Sequence, residues 1–100
     1  MKSESKHFGA AGQLRTVEIQ KIVEESPSVK TFSFHDSLCE KATPAQFVMV
    51  WIPGIDEVPM SLSSIEDDHC SISVAKVGEA TRALHNMKED DLFGIRGPFG

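Results

Sequence analysis

Two cysteines, one tryptophan and no tyrosine leave this sequence short of the residues that usually announce a function. Cys39 and Cys70 form no CxxC unit. A disulfide between them is one reading, but in a cytosolic chain two free thiols are the better expectation. No signal peptide and no long apolar run is present, so the expectation is a cytoplasmic protein that neither spans a membrane nor is secreted. Basic residues are also scarce: 10 against 15 acidic ones, for a net charge of -5. They are scattered rather than striped, which argues against a nucleic-acid binder, because phosphate backbones are held by clustered Lys and Arg. Aromatics make up only 7% of the chain, which opposes a base-stacking barrel of the oligonucleotide-binding type. His7, His35, His69 and His85 show no HExxH or paired ligand spacing, so no metal site is expected. Ser61, Ser63 and Ser64 lack a GxSxG frame. No linker, repeat or low-complexity tract interrupts the chain.

What is present is the composition of an ordinary globule, 40% hydrophobic and 25% charged over 100 residues. That suffices for one domain with one core of modest stability, to which a large ligand or partner would add. Residues 1–13 carry little that can pack and are expected to form a disordered tail, leaving residues 14–100 as the domain. Val17, Ile19 and Val23 share the inward face of a first strand, with Ile22 out of period and marking a bulge. A second strand covers residues 29–35, with Phe32 and Phe34 on one side. The stretch QFVMVWI at 46–52 is apolar on both faces, so it must be covered from inside and outside. Strands follow at 58–64 and 70–77, where Ile72 and Val74 alternate with Ser71 and Ser73. Ala80, Ala83, Leu84 and Met87 then fit the helical i, i+3, i+4, i+7 template, and a last strand runs over 92–96. The fold class predicted is all-β: a six-stranded antiparallel Greek-key barrel with one short helix.

Two segments stand out chemically. Val77-Gly78-Glu79-Ala80-Thr81 joins a strand to the helix. Gly78 permits a tight path, and the Thr81 hydroxyl can cap a helix whose start would suit a diphosphate, with Arg82 beside it. The plain alternative is a capped surface helix. Val58-Pro59-Met60-Ser61-Leu62-Ser63 offers a hydroxyl and a flexible thioether to a flat heteroaromatic ring; its plain alternative is a core strand.

Taken together and in order, these motifs resemble the ferredoxin–NADP reductase superfamily, and within it the electron-transfer subunits of dihydroorotate dehydrogenase. The family pattern [RK]-P-x-S-[IL] corresponds to residues 58–62. Its G-x-G-T turn corresponds to residues 78–81, and its exit strand to Gly94-Ile95-Arg96-Gly97-Pro98-Phe99-Gly100. The match spans residues 14–100. The resemblance implies an FAD-binding domain of an electron-transfer oxidoreductase. Pro59, Met60 and Ser61 would meet the isoalloxazine ring and ribityl chain, and the backbone of Ala75, Lys76 and Val77 the ring's edge. Gly78, Ala80 and Thr81 would hold the diphosphate, with Arg82 as a further partner. In such a site the electron chemistry belongs to the flavin, and the protein positions and tunes it.

Two positions depart from the pattern: Val58 stands where the family places Arg or Lys, and Ala80 replaces a glycine. The resemblance also implies a nicotinamide-binding domain and a [2Fe–2S] cluster. Neither is encoded within these residues, since two cysteines cannot supply four ligands. The polypeptide is therefore expected to be inactive alone and to act with a nicotinamide-binding domain or a catalytic dehydrogenase subunit. Homo-oligomers are a further possibility, through an exposed apolar patch around residues 46–52 and 98–99. The alternative reading is a non-catalytic docking module of the same barrel that has lost tight flavin binding.

Overall fold

The computed structural model describes residues 12–43, 46–66 and 69–100; the expected tail lies outside them apart from residues 12 and 13. Among the described residues are seven antiparallel strands and one helix: β1 (Arg15–Glu18), β2 (Lys21–Ser26), β3 (Val29–Phe34), β4 (Phe47–Ile52), β5 (Asp56–Ile65), β6 (Cys70–Ala75), α1 (Glu79–His85) and β7 (Leu92–Phe99), with a 3-10 turn at Cys39–Lys41. The expected all-β barrel with one helix is found. The seventh strand arises because the segment read as one bulged first strand is two.

The sheet order, β1-β7-β4-β5-β6-β3-β2, explains the curl. β1 and β2 occupy opposite edges of the sheet, yet only residues 19 and 20 separate them. A flat sheet would hold its edges many strand widths apart, so the sheet must bend round until they meet. The link is hydrogen-bonded on both sides: the Ile19 amide donates to Asp91 O (2.9 Å) beside β7, and the Gln20 amide to Ser33 O (2.8 Å) on β3. The crossing also resets the alternation. Val17 and Ile19 are buried, but Val23 is 37% exposed, and Ile22 turns inward onto the core instead. Here the expected shared face of Val17, Ile19 and Val23 fails, because side-chain parity does not survive the break between strands.

The core is a single cluster in which every strand takes part, with Phe32, Phe34, Val48, Val50, Ile72 and Ile95 fully buried. Phe34 and Phe93 meet edge to face at 5.6 Å. β4 shows what double apolarity means. Val48, Val50 and Ile52 point inward, while Phe47 and Met49 are half-buried outside and Trp51 is 39% exposed. A Cβ on Gly94 would come within 2.9 Å of the Trp51 ring and of Leu14, so only glycine lets these side chains lie on β7. The face of β3 and β6 opposite the core is hydroxylic: Thr31 bonds Ser73 at 2.9 Å, and Ser71 bonds Ser64 of β5 at 2.9 Å.

β5 divides its loyalty. Asp56 to Ser61 pair with β4, whereas Leu62, Ser64 and Ile65 pair with β6. Beyond the Leu62–Ile72 pair the two strands part, and β6 continues alone beside β3 to Ala75. α1 packs against β4, β5 and β6, and its fully buried Leu84 plugs the opening. The helical spacing read from Ala80, Ala83 and Leu84 is this inward stripe; Met87 packs on the core just past the helix end.

Candidate functional site

The parting of β5 and β6 places the β4–β5 turn opposite the start of α1. Gly54 adopts a left-handed conformation (φ +79°) in that turn, and the Ile55 amide closes it on Ile52 O at 3.0 Å. A groove of about 310 Å³ results, lined by Ile55, Asp56, Val58, Val77, Gly78, Glu79, Ala80 and Thr81. Strand alternation explains which β5 residues reach it. Val58 lines the groove, and Met60 packs on the core from the same side of the strand. Pro59 and Ser61 are exposed, as is Arg82 on the first turn of α1. Pro59 is tolerated because β5 has a ladder neighbour on one side only from Asp56 to Ser61.

The strand-to-helix turn is built by Thr81, in the reverse sense to the expected cap. The N-cap is Gly78, and Thr81 lies three residues on. Its Oγ1 accepts the amides of Val77 (2.9 Å) and Gly78 (2.9 Å) and donates to Gly78 O (3.1 Å). The hydroxyl is thereby fully used in shaping the turn, so Thr81 has only its backbone amide to give a ligand. The first helical bond runs from the Arg82 amide to Gly78 O at 2.9 Å, which leaves the amides of Glu79, Ala80 and Thr81 without partners among the described residues. A Cβ built on Gly78 meets nothing within 4 Å; this side of the turn is open space. The Lys76 amide is already given to Ser28 O at 2.8 Å and the Val77 amide to Thr81, so the backbone of Lys76 and Val77 can address a ligand only through its carbonyls.

Elsewhere polar groups serve the fold. Arg15 Nε and Nη2 donate to the two Asp36 carboxylate oxygens at 2.8 and 2.9 Å, Nη2 also donates to Gly97 O, and the Cys39 amide donates to Asp36 Oδ2 at 3.1 Å. Burial pushes the Asp36 carboxyl up, but these hydrogen bonds outweigh it and hold it below its ordinary value. The Arg15 guanidinium is raised in turn, chiefly by its bond to Asp36. Both cysteines are free and buried; the Cys39 thiol is pushed up by hydrogen bonding with the Cys70 thiol, by burial and by Asp36. His85 is buried with Nε2 2.7 Å from Val74 O, and no group of residues among those described is arranged to hold a metal. No helix among them is long and apolar enough to cross a membrane.

No family model matches the chain. Sequence relatives do: it is 49% identical over 82 residues to the probable dihydroorotate dehydrogenase B (NAD(+)) electron transfer subunit of Methanocaldococcus jannaschii, covering 82% of this chain and 30% of that protein. The corresponding probable subunit of Pyrococcus furiosus is 41% identical over 87 residues, 87% of this chain and 33% of the relative. Among solved structures, the NADH-dependent reduced ferredoxin-NADP oxidoreductase superposes with a TM-score of 0.75 at 29% identity, over 84% of this chain and 32% of that one. The chain belongs to the ferredoxin–NADP reductase superfamily, beside the dihydroorotate dehydrogenase electron-transfer subunits. The cytochrome b5 reductase domain of Ulva prolifera nitrate reductase shares the fold at a TM-score of 0.73 and 14% identity, over 88% of this chain and 40% of that one. The chain spans about a third of the length of the curated relatives it matches.

The groove takes in residues 77–81 and, of the segment 58–63 singled out in the sequence, Val58 alone. The structure brings Val77, Gly78, Ala80 and Thr81 together with Val58. Sequence reading missed Ile55 and Asp56 and gave Glu79 no role within its segment; all three line the same groove. The signal available for the first two was Gly54, whose turn folds them back beside β5.

Proposed function

We propose that this chain is the flavin-binding domain of an electron-transfer oxidoreductase of the dihydroorotate dehydrogenase type, in pyrimidine biosynthesis, with FAD as its cofactor. The observation that carries the reading is the open turn at Gly78, with the unpartnered amides of residues 79–81 and the groove leading from it to β5. The residues fit the group. Backbone amides without partners suit an anionic bridge, and the missing Cβ at Gly78 leaves room for close approach. The amides of Ala80 and Thr81 would hold the diphosphate, with Gly78 leaving it room to approach and the exposed Arg82 as a counter-charge. Pro59, Met60 and Ser61 would lie along the ring and ribityl chain, and the carbonyls of Lys76 and Val77 at the ring's edge, together with Ala75. When bound, the flavin supplies the electron-transfer chemistry. The chain's own part is to orient it and to shield one side with the β5 strand.

The name of the relatives makes a catalytic dehydrogenase subunit the natural partner, and a nicotinamide-binding domain the natural source of electrons. The test is direct: purified protein is mixed with FAD and gel-filtered. Protein eluting with the visible band of oxidised flavin supports the proposal, and a colourless peak at saturating FAD overturns it. The second reading, a docking module without tight flavin binding, is favoured by one observation, the apolar Val58 in the groove wall.

A further inference from the structure

The turn that follows β3 brings together two thiols that play no part in the groove beside α1. It leaves β3 at Phe34, whose partner across the sheet is Cys70 on β6, and folds back through Cys39–Lys41 to pack on β5. β6 lies between β3 and β5, so the turn crosses the first residue of β6. Both cysteine side chains are fully buried in the core. Cys70 Sγ donates to Phe34 O at 3.8 Å, and the Cys39 amide donates to Asp36 Oδ2 at 3.1 Å. The two thiols meet there, hydrogen-bonded to each other. Their neighbours open outward. Ala42, whose amide closes the turn on Cys39 O at 3.1 Å, and Ile65, the partner of Cys70 on β5, line a second groove of about 320 Å³ with Leu62, Ser63 and Ser64.

We propose that Cys39 and Cys70 form a reversible intrachain disulfide when the protein meets hydrogen peroxide, a cross-link that ties the turn to β6. One thiolate attacks a peroxide oxygen; the O–O bond breaks, the sulfur becomes a sulfenic acid, and the hydroxide released recovers the thiol's proton as water. The second sulfur then attacks the sulfenic sulfur. The S–S bond forms, the S–O bond breaks, and the departing hydroxide takes the second thiol's proton. Two thiols and one hydrogen peroxide thus become one disulfide and two waters. A disulfide holds its sulfurs about 2 Å apart, and a pair already in hydrogen-bond contact closes by movement of its side chains. Burial and the Asp36 carboxylate both oppose a thiolate at Cys39, so the pair reacts only as the turn lifts. Once formed, the bond closes a loop from residue 39 to residue 70 and removes entropy from the unfolded chain.

The experiment treats the full chain, reduced and dilute, with hydrogen peroxide and reads its intact mass, peptide map and melting temperature. The product should be monomeric and two hydrogens lighter. Trypsin cuts after Lys41, between the two cysteines, so the peptides that carry them should stay joined until reduced. The oxidised protein should melt roughly 10 °C above the reduced one, and dithiothreitol should reverse both changes. Cys39→Ser and Cys70→Ser should each lose the rise. In the unaltered protein, thiols that gain oxygen without pairing, disulfides between chains, a cross-link that leaves melting unchanged, or thiols that react only after denaturation would each overturn the proposal. These readouts are independent of FAD, so the flavin reading stands or falls separately.

Discussion

Two polar regions of this barrel are built on opposite plans. Where β1, the end of β3 and β7 converge, Arg15, Asp36, the Cys39 amide and Gly97 O satisfy one another inside the chain. At the start of α1, a hydroxyl is spent on shaping a turn whose following amides have no partners among the described residues. The first arrangement needs nothing from outside and therefore speaks of stability. The second leaves donors for water or a ligand. Neither glycine nor arginine declares its role by identity; the partners decide it.

The comparison breaks most sharply at Asp36. Asp36→Ala removes the carboxylate that takes two hydrogen bonds from the Arg15 guanidinium, whose side chain is 19% exposed, and stability should fall by about 3 kcal/mol. Urea denaturation reads this as a lower midpoint at unchanged slope. FAD affinity of the folded variant should not move, and a large loss of affinity there would erase the division between the two regions. The same carboxyl gives an acid response. Its folded-state pKa lies below the ordinary 3.8, so the contribution is fully present above that value and disappears as pH drops through the folded one. Acid unfolding followed by circular dichroism should therefore lose its steepest component below about pH 4 in the parent, and Asp36→Asn should flatten it.

Thr81 tests the other region. Thr81→Val keeps the shape but strips the acceptor from the Val77 and Gly78 amides, at an expected cost of about 1–2 kcal/mol. Unlike Asp36→Ala, it should also weaken FAD binding measurably, because the turn that aims the free amides is released. Equal flavin affinity in Thr81→Val and the parent would show that the turn is structural only.

How much of this was legible beforehand follows from which interactions are local. Strand periodicity exposed Phe32 and Phe34 on β3, Ile72 and Val74 on β6, and the α1 stripe, since each depends on neighbours within one element. The resemblance carried residues 58–62 and 78–81 into one site, and the fold does bring Val58 to Gly78. Three features were hidden. The crossing at Ile19 looks like a bulge because two strands separated by two residues read as one, and its consequence for Val23 depends on the far edge of the sheet. The Arg15–Asp36 clamp joins positions with no common motif. Thr81 reads as a cap in sequence, but the direction of its bonds is a matter of the turn's geometry.

Val58 sharpens the comparison from the ligand's side. Its side chain lines a groove without a basic wall, so Val58→Arg supplies a charge beside the anionic bridge. A charge-assisted contact of about 1.5 kcal/mol corresponds to roughly ten-fold tighter FAD binding. The guanidinium can leave the partly buried site for water, so stability should change little. Fluorescence titration that finds FAD bound no more tightly would place the diphosphate away from β5.

The smallest effect belongs to the second arginine clamp. Arg96 donates to Glu57 through Nε (2.7 Å) and Nη2 (2.6 Å), the same bidentate geometry as Arg15 with Asp36. Their settings differ: the Arg96 and Glu57 side chains are 38% and 27% exposed, against 19% and 6% for the buried pair. The bond to Glu57 raises the Arg96 guanidinium, yet water and salt screen the pair on the outer face of β4, and holding two long side chains still costs entropy. Arg96→Gln should therefore melt close to the parent, and what difference exists should vanish as salt is added. Asp36→Ala should keep most of its deficit in the same salt series. If the two variants instead respond alike, then burial is not what separates a clamp that holds the barrel from one that merely crosses it.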